Sequence, residues 1–225
     1  MANEDAFREH PKAPVDVPDS GNATRSCGAV DDVNVHNARL LVITPLRIER
    51  AAVRRGLPEA LVLRSGLGSA RARSTALVAA RIPADAVAVA GFCGAVAEGL
   101  HAGDVVVASE VRGPARVTAC SSGPVVAALV ALGIERVRVG PVASVDHLVR
   151  GAERGVLAGE GALAVDMESA WLAPAAAGRP FAVLRVVLDT PAREIHRPLT
   201  ALADGIAAWR ALRRAAPALA MWARA

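Results

Sequence analysis

A chain of 225 residues is long enough for one sizeable α/β domain, and its apolar fraction of 53% is too high for general disorder. Its net charge of +4 comes from arginines scattered along the sequence, with Lys12 the only lysine, which argues against a nucleic-acid-binding protein. The longest uncharged stretch, 117–134, contains "SSGP" and is no membrane span, so we expect a soluble protein without an integral membrane segment.

The cysteines indicate the cellular compartment, and the N-terminal residues indicate a domain boundary. Cys27, Cys93 and Cys120 show neither a CxxC pair nor a metal-like spacing with the five histidines. This predicts a reduced, cytoplasmic protein without a structural metal. The polar, proline-bearing start is no signal peptide, and we interpret residues 1–37 as a flexible extension that precedes a domain at 38–225.

From residue 39 onward, short apolar runs alternate with helical patterns. Strands are predicted at 39–44, 60–66, 103–111, 136–145, 162–167 and 179–190. Residues 85–96 are predicted to form a strand that runs into a glycine-rich loop. Helices are predicted at 45–57, 70–82, 123–133, 146–159 and 168–178. One long amphipathic helix is predicted at 199–223, where Leu202, Ile206, Trp209 and Leu219 recur near helical spacing on the face that covers the sheet. This alternation predicts a three-layer αβα fold with a central, mostly parallel mixed sheet.

The unusual polar residues and glycines fall where predicted strands end. Ligands of such sheets bind beyond the carboxyl ends of the strands, so we expect these residues to share one cleft. They are Arg47 and Glu49, Gly66 and Gly68, the segment 91–94, Met167 and Glu168, and Asp189. Each one alone has an ordinary explanation: Glu168 could favour a helix dipole and Asp189 could form an Asx turn.

The combination is more specific than its parts. The segments "ITPLRIER", "SGLGSARA", "GFCGAV", "GDVVVASEV", "VASVDHLV", "AVDMESA" and "VLRVVLDT" follow one another over residues 41–190. This order resembles the purine nucleoside phosphorylase / methylthioadenosine nucleosidase superfamily, whose hallmark is a V-[DE]-M-E segment followed by a strand that ends in aspartate. The amino-acid sequence of these segments is most similar to the hopanoid-associated phosphorylase branch of the superfamily.

The resemblance implies a role for three residues. Glu168 would accept hydrogen bonds from the 2′ and 3′ hydroxyls of a ribose, and Met167 would pack against the sugar. Asp189 would donate a proton to purine N7 as the base leaves. This role needs a neutral carboxylic acid, which burial in a cleft favours by raising the pKa.

The resemblance leaves the nucleophile open. Phosphorylases of the family hold phosphate with an arginine in a "PLR" turn and with the central glycine segment, which here implies Arg47 and Gly91, with Arg71 as a further contact. Phe92 stands where a phosphate ligand is expected and could instead contact substrate. Nucleosidases activate water with a glutamate at the position of Glu49. We expect phosphate as the co-substrate, because the "PLR" arginine is present, and no other cofactor or metal.

The base site departs from the family pattern. The purine-stacking segment of the family corresponds to 146–148, which places Leu148, with Val149 beside it, against the base. An aliphatic Leu148 gives less stacking than an aromatic side chain, and Leu188 precedes Asp189 where many members have serine. The adenine preference is therefore open, although Asp189 still favours a purine.

The function expected from the sequence is phosphorolysis of a purine nucleoside, releasing adenine from an adenosyl-type substrate such as adenosylhopane in hopanoid biosynthesis. One alternative is a methylthioadenosine/S-adenosylhomocysteine or futalosine nucleosidase that uses water. A second alternative is a non-catalytic nucleoside-binding protein. The resemblance also implies a homodimer or higher homo-oligomer.

Overall fold

The computed structural model describes residues 39–192 and 198–225, so the predicted extension at 1–37 lies outside the described residues. Strands and helices alternate as the sequence predicts. The strands are β1 (Leu40–Thr44), β2 (Leu61–Arg64), β3 (Ala86–Ala95), β4 (Val105–Gly113), β5 (Arg116–Ala119), β6 (Val137–Ser144), β7 (Ala164–Asp166) and β8 (Phe181–Asp189). The helices are α1 (Arg47–Gly56), α2 (Ser69–Ala79), α3 (Ser122–Ala131), α4 (Ala152–Gly159), α5 (Ser169–Leu172), α6 (Pro198–Ala215) and α7 (Pro217–Ala223).

The eight strands of the described residues form one mixed sheet. The parallel neighbours are β1 with β2 and β3, β3 with β8, β4 with β6, and β6 with β7. The antiparallel neighbours are β3 with β7, β4 with β5, and β4 with β8. As a result, β3, β8, β4, β6 and β7 pair in a closed ring, which leaves no free edges in that part of the sheet.

Helices cover both faces of the sheet, which confirms the predicted three layers. Side chains alternate between the two faces of a strand, so a strand buried on both sides is apolar throughout. In β1, Leu40 and Val42 join a cluster with α1, α3, α6 and α7. Leu41 and Ile43 join a second cluster with α2 and α5 on the opposite face.

The glycine segment 91–94 is part of β3, although the sequence predicted a loop there. β8 runs parallel to β3 along its length, and β7 pairs antiparallel with Gly94. Two neighbouring strands therefore supply the hydrogen bonds that keep this segment extended. The register shifts between Cys93 and Gly94, which brings Gly94 opposite Asp189.

The predicted C-terminal helix is two helices, because Pro217 begins a new one, α7. Leu202 and Ile206, which the sequence assigned to the buried face, are exposed by 72% and 44%. The face of α6 that packs on the sheet instead carries small side chains such as Ala208, together with Leu212. No helix among the described residues has both the length and the apolar composition needed to span a membrane.

Two further elements differ from the sequence prediction. The predicted helix at 146–159 begins only at Ala152, because Gly151 before it has a φ of +51° that interrupts a right-handed helix. The strand β5 was not predicted, and it forms a hairpin with β4. Short polar strands of this kind carry little hydrophobic periodicity, so the sequence gives them no clear signal.

Adjacent positions on α3 test the assignment of the core. Leu129 is fully buried, whereas Val130 is 66% exposed. We expect Leu129→Ala to lower the free energy of unfolding by about 2–5 kcal/mol, since it leaves a cavity. Val130→Ala is the matched control, with an expected change within about 0.5 kcal/mol. Urea denaturation measures both, and equal effects would contradict the orientation of α3.

Candidate active site

Glu49 is a buried carboxylate in the first turn of α1. It is 2% exposed, whereas Ile48 before it is 52% exposed. The backbone N–H of Leu46 donates to Glu49 Oε2 at 2.6 Å, which fixes the start of the helix. The backbone N–H of Phe92 in β3 donates to Glu49 Oε1 at 2.7 Å. The end of β1 and the glycine segment of β3 are thereby joined through one side chain.

Glu168 links two other strand ends. It lies two residues after the end of β7 and is 4% exposed. The backbone N–H of Gly68, in the turn before α2, donates to Glu168 Oε1 at 2.9 Å. Met167 is half-buried beside it. The acidic end of the apolar run "ALAVD" therefore faces the interior of the molecule and is no solvated helix start.

Asp166 fixes the turn between β7 and α5 through its side chain. Asp166 Oδ1 accepts hydrogen bonds from the backbone N–H groups of Glu168 and Ser169, each at 3.1 Å. The hydroxyl of Ser144, at the end of β6, donates to the same oxygen at 2.6 Å. One buried carboxylate thus caps the short helix α5 and fixes the backbone that carries Glu168.

A guanidinium lies among these carboxylates. Arg185 in β8 is fully buried, and its Nη2 is 2.7 Å from Asp166 Oδ2. Its Nη2 also donates to the hydroxyl of Ser169 at 2.8 Å, and its Nη1 donates to the backbone oxygen of Phe92 at 3.3 Å. Burial opposes its charge, but the carboxylates around it outweigh burial and raise the pKa of Arg185 above its usual value.

Burial also sets the electrostatics of the two glutamates. Removal from water raises the pKa of Glu49 from 4.5 to about 7, although Arg185 and the N–H groups of Phe92 and Leu46 act in the opposite direction. Removal from water likewise raises the pKa of Glu168, against the effect of Arg185. Glu49 can therefore exchange a proton near neutral pH, as a general acid or base must.

Asp189 ends β8 and is 8% exposed. The sequence predicts that burial keeps this carboxylic acid neutral. The structure adds a charged neighbour, because Arg154 Nη2 in α4 lies 2.6 Å from Asp189 Oδ2. An adjacent guanidinium favours the ionised form of a carboxylate, so the protonation of Asp189 depends on Arg154 as well as on burial.

The residues predicted to bind phosphate differ in exposure. Arg47 and Arg71 are both exposed, and the aliphatic part of Arg71 lies against Gly66. At Gly91, an added Cβ would come within 2.6 Å of Glu49 Oε1 and 2.7 Å of Arg185 Nη1. The space next to Gly91 is therefore filled by a carboxylate and the guanidinium beside it.

The residues predicted near the base differ in exposure. Leu148 is 49% exposed and lies before α4. Val149 is 2% exposed and packs in a small apolar cluster with Val96 and Val165. Phe92 is half-buried and packs against the larger core. Leu148 is thus the more accessible of the two side chains predicted to contact the purine.

Sequence reasoning missed two arginines, Arg154 and Arg185. Arg185 had one visible signal, a lone charge inside the apolar run "AVLRVVL", which a strand buried on both faces tolerates only if the charge is compensated. Arg154 gave no such signal, because a charge in "AERGVLAG" is typical of an exposed helix face. Among residues 39–192 and 198–225, no cluster of His, Cys, Asp or Glu has the arrangement of a metal site.

Comparisons with known proteins agree with this fold. The family model of the phosphorylase superfamily matches residues 48–220, so the chain belongs to this superfamily of nucleoside phosphorylases and nucleosidases. Among the curated proteins, no match was found.

Solved structures with the same fold include three nucleoside hydrolases. The S-adenosylhomocysteine nucleosidase of Streptococcus pyogenes, in complex with 5-methylthiotubericidin, is 22% identical, with a TM-score of 0.65 over 80% of this chain and 96% of that chain. An aspartate-to-asparagine variant of the 5′-methylthioadenosine/S-adenosylhomocysteine nucleosidase of Helicobacter pylori, with 5′-methylthioadenosine in its active site, is 18% identical. Its TM-score is 0.68, and the match covers 83% of this chain and 98% of that chain. The futalosine hydrolase of H. pylori is 19% identical, with a TM-score of 0.68 over 82% and 97%.

The contact between β3 and the Glu49–Arg185 neighbourhood can be tested with glycine substitutions. Gly91→Ala places a methyl group against both side chains, so we expect the free energy of unfolding to fall by about 1–3 kcal/mol. Gly205→Ala is the control, because nothing lies within 4 Å of the added Cβ in α6. There we expect no loss, or a gain of up to about 1 kcal/mol. A Gly91→Ala protein as stable as the parent would refute the close approach.

Proposed function

We propose that this chain hydrolyses the N-glycosidic bond of a purine nucleoside, with water as the nucleophile and Glu49 as the general base. The observation that carries this proposal is the position of Glu49 on the glycine segment of β3, where it accepts the N–H of Phe92 at 2.7 Å. Its pKa of about 7 suits a group that removes a proton from water at neutral pH.

The same contact argues against phosphate at this place. A glycine segment binds phosphate through backbone N–H groups that point at the anion. Here the N–H of Phe92 is already directed at Glu49, and a phosphate beside Gly91 would meet that carboxylate. Two anions in contact in a buried site repel one another strongly. Phosphate attack, expected from the "PLR" turn, stays a prediction that the assay below tests.

Glu168 suits the binding of ribose hydroxyls. One of its oxygens is anchored by Gly68 at 2.9 Å, which fixes the direction of the carboxylate. Arg185 interacts electrostatically with both Glu168 and Glu49, so a single guanidinium favours the ionised form of the proposed ribose-binding carboxylate and of the proposed base. Charge-assisted hydrogen bonds from two hydroxyls to an anchored carboxylate are strong and directional.

The proposed reaction balances with these groups. Asp189 gives its proton to N7 of the purine, and the electron pair of the C1′–N9 bond leaves with the base. Water adds its oxygen to C1′ of the cationic sugar and loses a proton to Glu49. The products are a free purine and a free sugar, and proton exchange with solvent restores both carboxyl groups.

The structural relatives support water and an adenine nucleoside. They are named as nucleosidases and a hydrolase, and two of them hold 5-methylthiotubericidin or 5′-methylthioadenosine. We therefore propose a 5′-substituted adenine nucleoside as substrate. The adenosylhopane substrate predicted from the sequence belongs to the same chemical class. The non-catalytic alternative predicts binding without base release.

A base-release assay tests the proposal. Purified protein is given a panel of 5′-substituted adenine and hypoxanthine nucleosides, with and without inorganic phosphate, in water enriched in ¹⁸O. We expect free sugar that carries ¹⁸O at C1, at a rate that phosphate does not change. Ribose 1-phosphate as the product would overturn hydrolysis, and binding without turnover of any nucleoside would support the non-catalytic alternative.

Paired variants assign the nucleophile. Glu49→Gln keeps the shape of the side chain and removes the base, so we expect a loss of about 10²–10⁴-fold in kcat. Arg47→Ala, two residues earlier and exposed, is the control, with an expected change of no more than about twofold. The reverse order of effects, with a steep dependence on phosphate, would show that phosphate attacks.

A further inference from the structure

Helix α4 has a charged side chain that faces the interior of the protein. Arg154 is the only buried side chain among the eight residues of α4, all of which the structure describes. Val156 on the same helix is 60% exposed. In an amphipathic helix the deepest side chains are apolar, whereas in α4 Leu157 and Ala158 are only partly buried against the small apolar cluster and the fully buried side chain is charged. A buried arginine is stabilised only where its charge is compensated, so its surroundings indicate what it does.

Residues of two strands, β3 and β8, contact Arg154. Its Nη1 donates to the backbone oxygen of Ala95, the last residue of β3, at 2.6 Å. Its Nη2 donates to Asp189 Oδ2, at the end of β8, also at 2.6 Å. An added Cβ at Gly94 would lie 2.9 Å from Asp189 Oδ1 and 3.1 Å from Arg154 Nη1. Glycine at position 94 therefore lets the pair lie directly on the strand.

We propose that Arg154 is the positioning residue of the proton donor: it fixes the orientation of the Asp189 carboxyl group and favours its ionised form, so that proton donation to the purine is governed by this ion pair. The proposal rests on the role of Asp189 in the proposed function. It adds Arg154 of α4 to a proposed mechanism whose other residues lie at or near the ends of strands.

The physical basis is that Arg154 and the purine favour opposite protonation states of Asp189. A guanidinium within hydrogen-bond distance favours the carboxylate, whereas proton donation to N7 needs the carboxylic acid. The acid therefore exists in quantity only at low pH, while Glu49 acts as a base only when it is ionised. The pH–rate profile then has a lower inflection that Asp189 and Arg154 set together, and an upper inflection near pH 7 that Glu49 sets.

Other buried titratable groups face the same pair. Cys93 of β3 interacts electrostatically with Asp189 and Arg154, but burial raises the pKa of its thiol far above the ordinary value, so it stays neutral. Asp166 of β7 interacts electrostatically with Cys93 and is paired with Arg185 at 2.7 Å. These groups are unchanged when Arg154 is replaced.

Exposed groups lie at the start of α4. His147 contacts Asp146 at 3.0 Å and Glu153 at 2.7 Å, and these two carboxylates raise the pKa of His147. Because His147 is exposed, its titration acts on Arg154 only through solvent, where charges are screened. We therefore expect the lower inflection to respond to Arg154 and not to His147.

Two substitutions separate charge from shape. Arg154→Met keeps much of the length and removes the charge, so we expect the lower inflection of kcat/KM to move to higher pH by about one unit or more. Arg154→Lys keeps the charge but loses the two-pronged geometry, so we expect a lower kcat with the inflection in place. Val156→Ala, on the exposed face of α4, is the matched control and should reproduce the parent profile.

The outcomes are distinguishable. Asp189→Asn should remove the lower inflection together with most of the activity, and an Asp189→Asn protein with parent activity would overturn the proposed role of Asp189. If Asp189→Asn behaves as expected but Arg154→Met leaves the inflection unmoved, the inference about Arg154 alone is wrong. Should Arg154→Met fail to fold, Arg154→Lys still decides, because a shifted inflection despite the retained charge would refute the inference.

Discussion

A guanidinium inside a strand is the constraint on which the site depends. Arg185 is 0% exposed in the middle of β8, and a charge without partners there would cost several kcal/mol. Asp166 pairs with it directly at 2.7 Å, and Glu49 and Glu168 lie close enough to raise its pKa. The requirement to compensate this one charge therefore brings together the end of β7, the middle of β8 and the first turn of α1.

Small residues in β3 make the arrangement possible. Gly91 lies against Glu49 and Arg185, and Gly94 lies against Asp189 and Arg154. Each of these two glycines, three residues apart in β3, thus lies against one carboxylate and one guanidinium. A side chain at either position would separate the carboxylate from the guanidinium. The glycine segment is held in the sheet by β8 and β7, which makes it a rigid support and not a flexible loop.

The layers and the strand ends could be predicted because they follow local rules. Alternating apolar runs and helical patterns give the three layers, and the acidic residue after an apolar strand pointed to Glu168. The closed ring of strands could not be predicted, since pairing between β4 and β8 depends on contacts far apart in sequence. For the same reason Arg154 went unnoticed: only the folded chain shows that a charge on α4 meets Asp189.

The central claim is that burial beside Arg185 makes Glu49 a base that works near neutral pH. The most direct measurement is a ¹³C NMR titration of the glutamate carboxyl groups, with Glu49→Gln to assign the resonance. We expect one carboxyl group to titrate near pH 7 and to disappear in the Glu49→Gln protein. A resonance of Glu49 that titrates near 4.5, its ordinary value, would contradict the account.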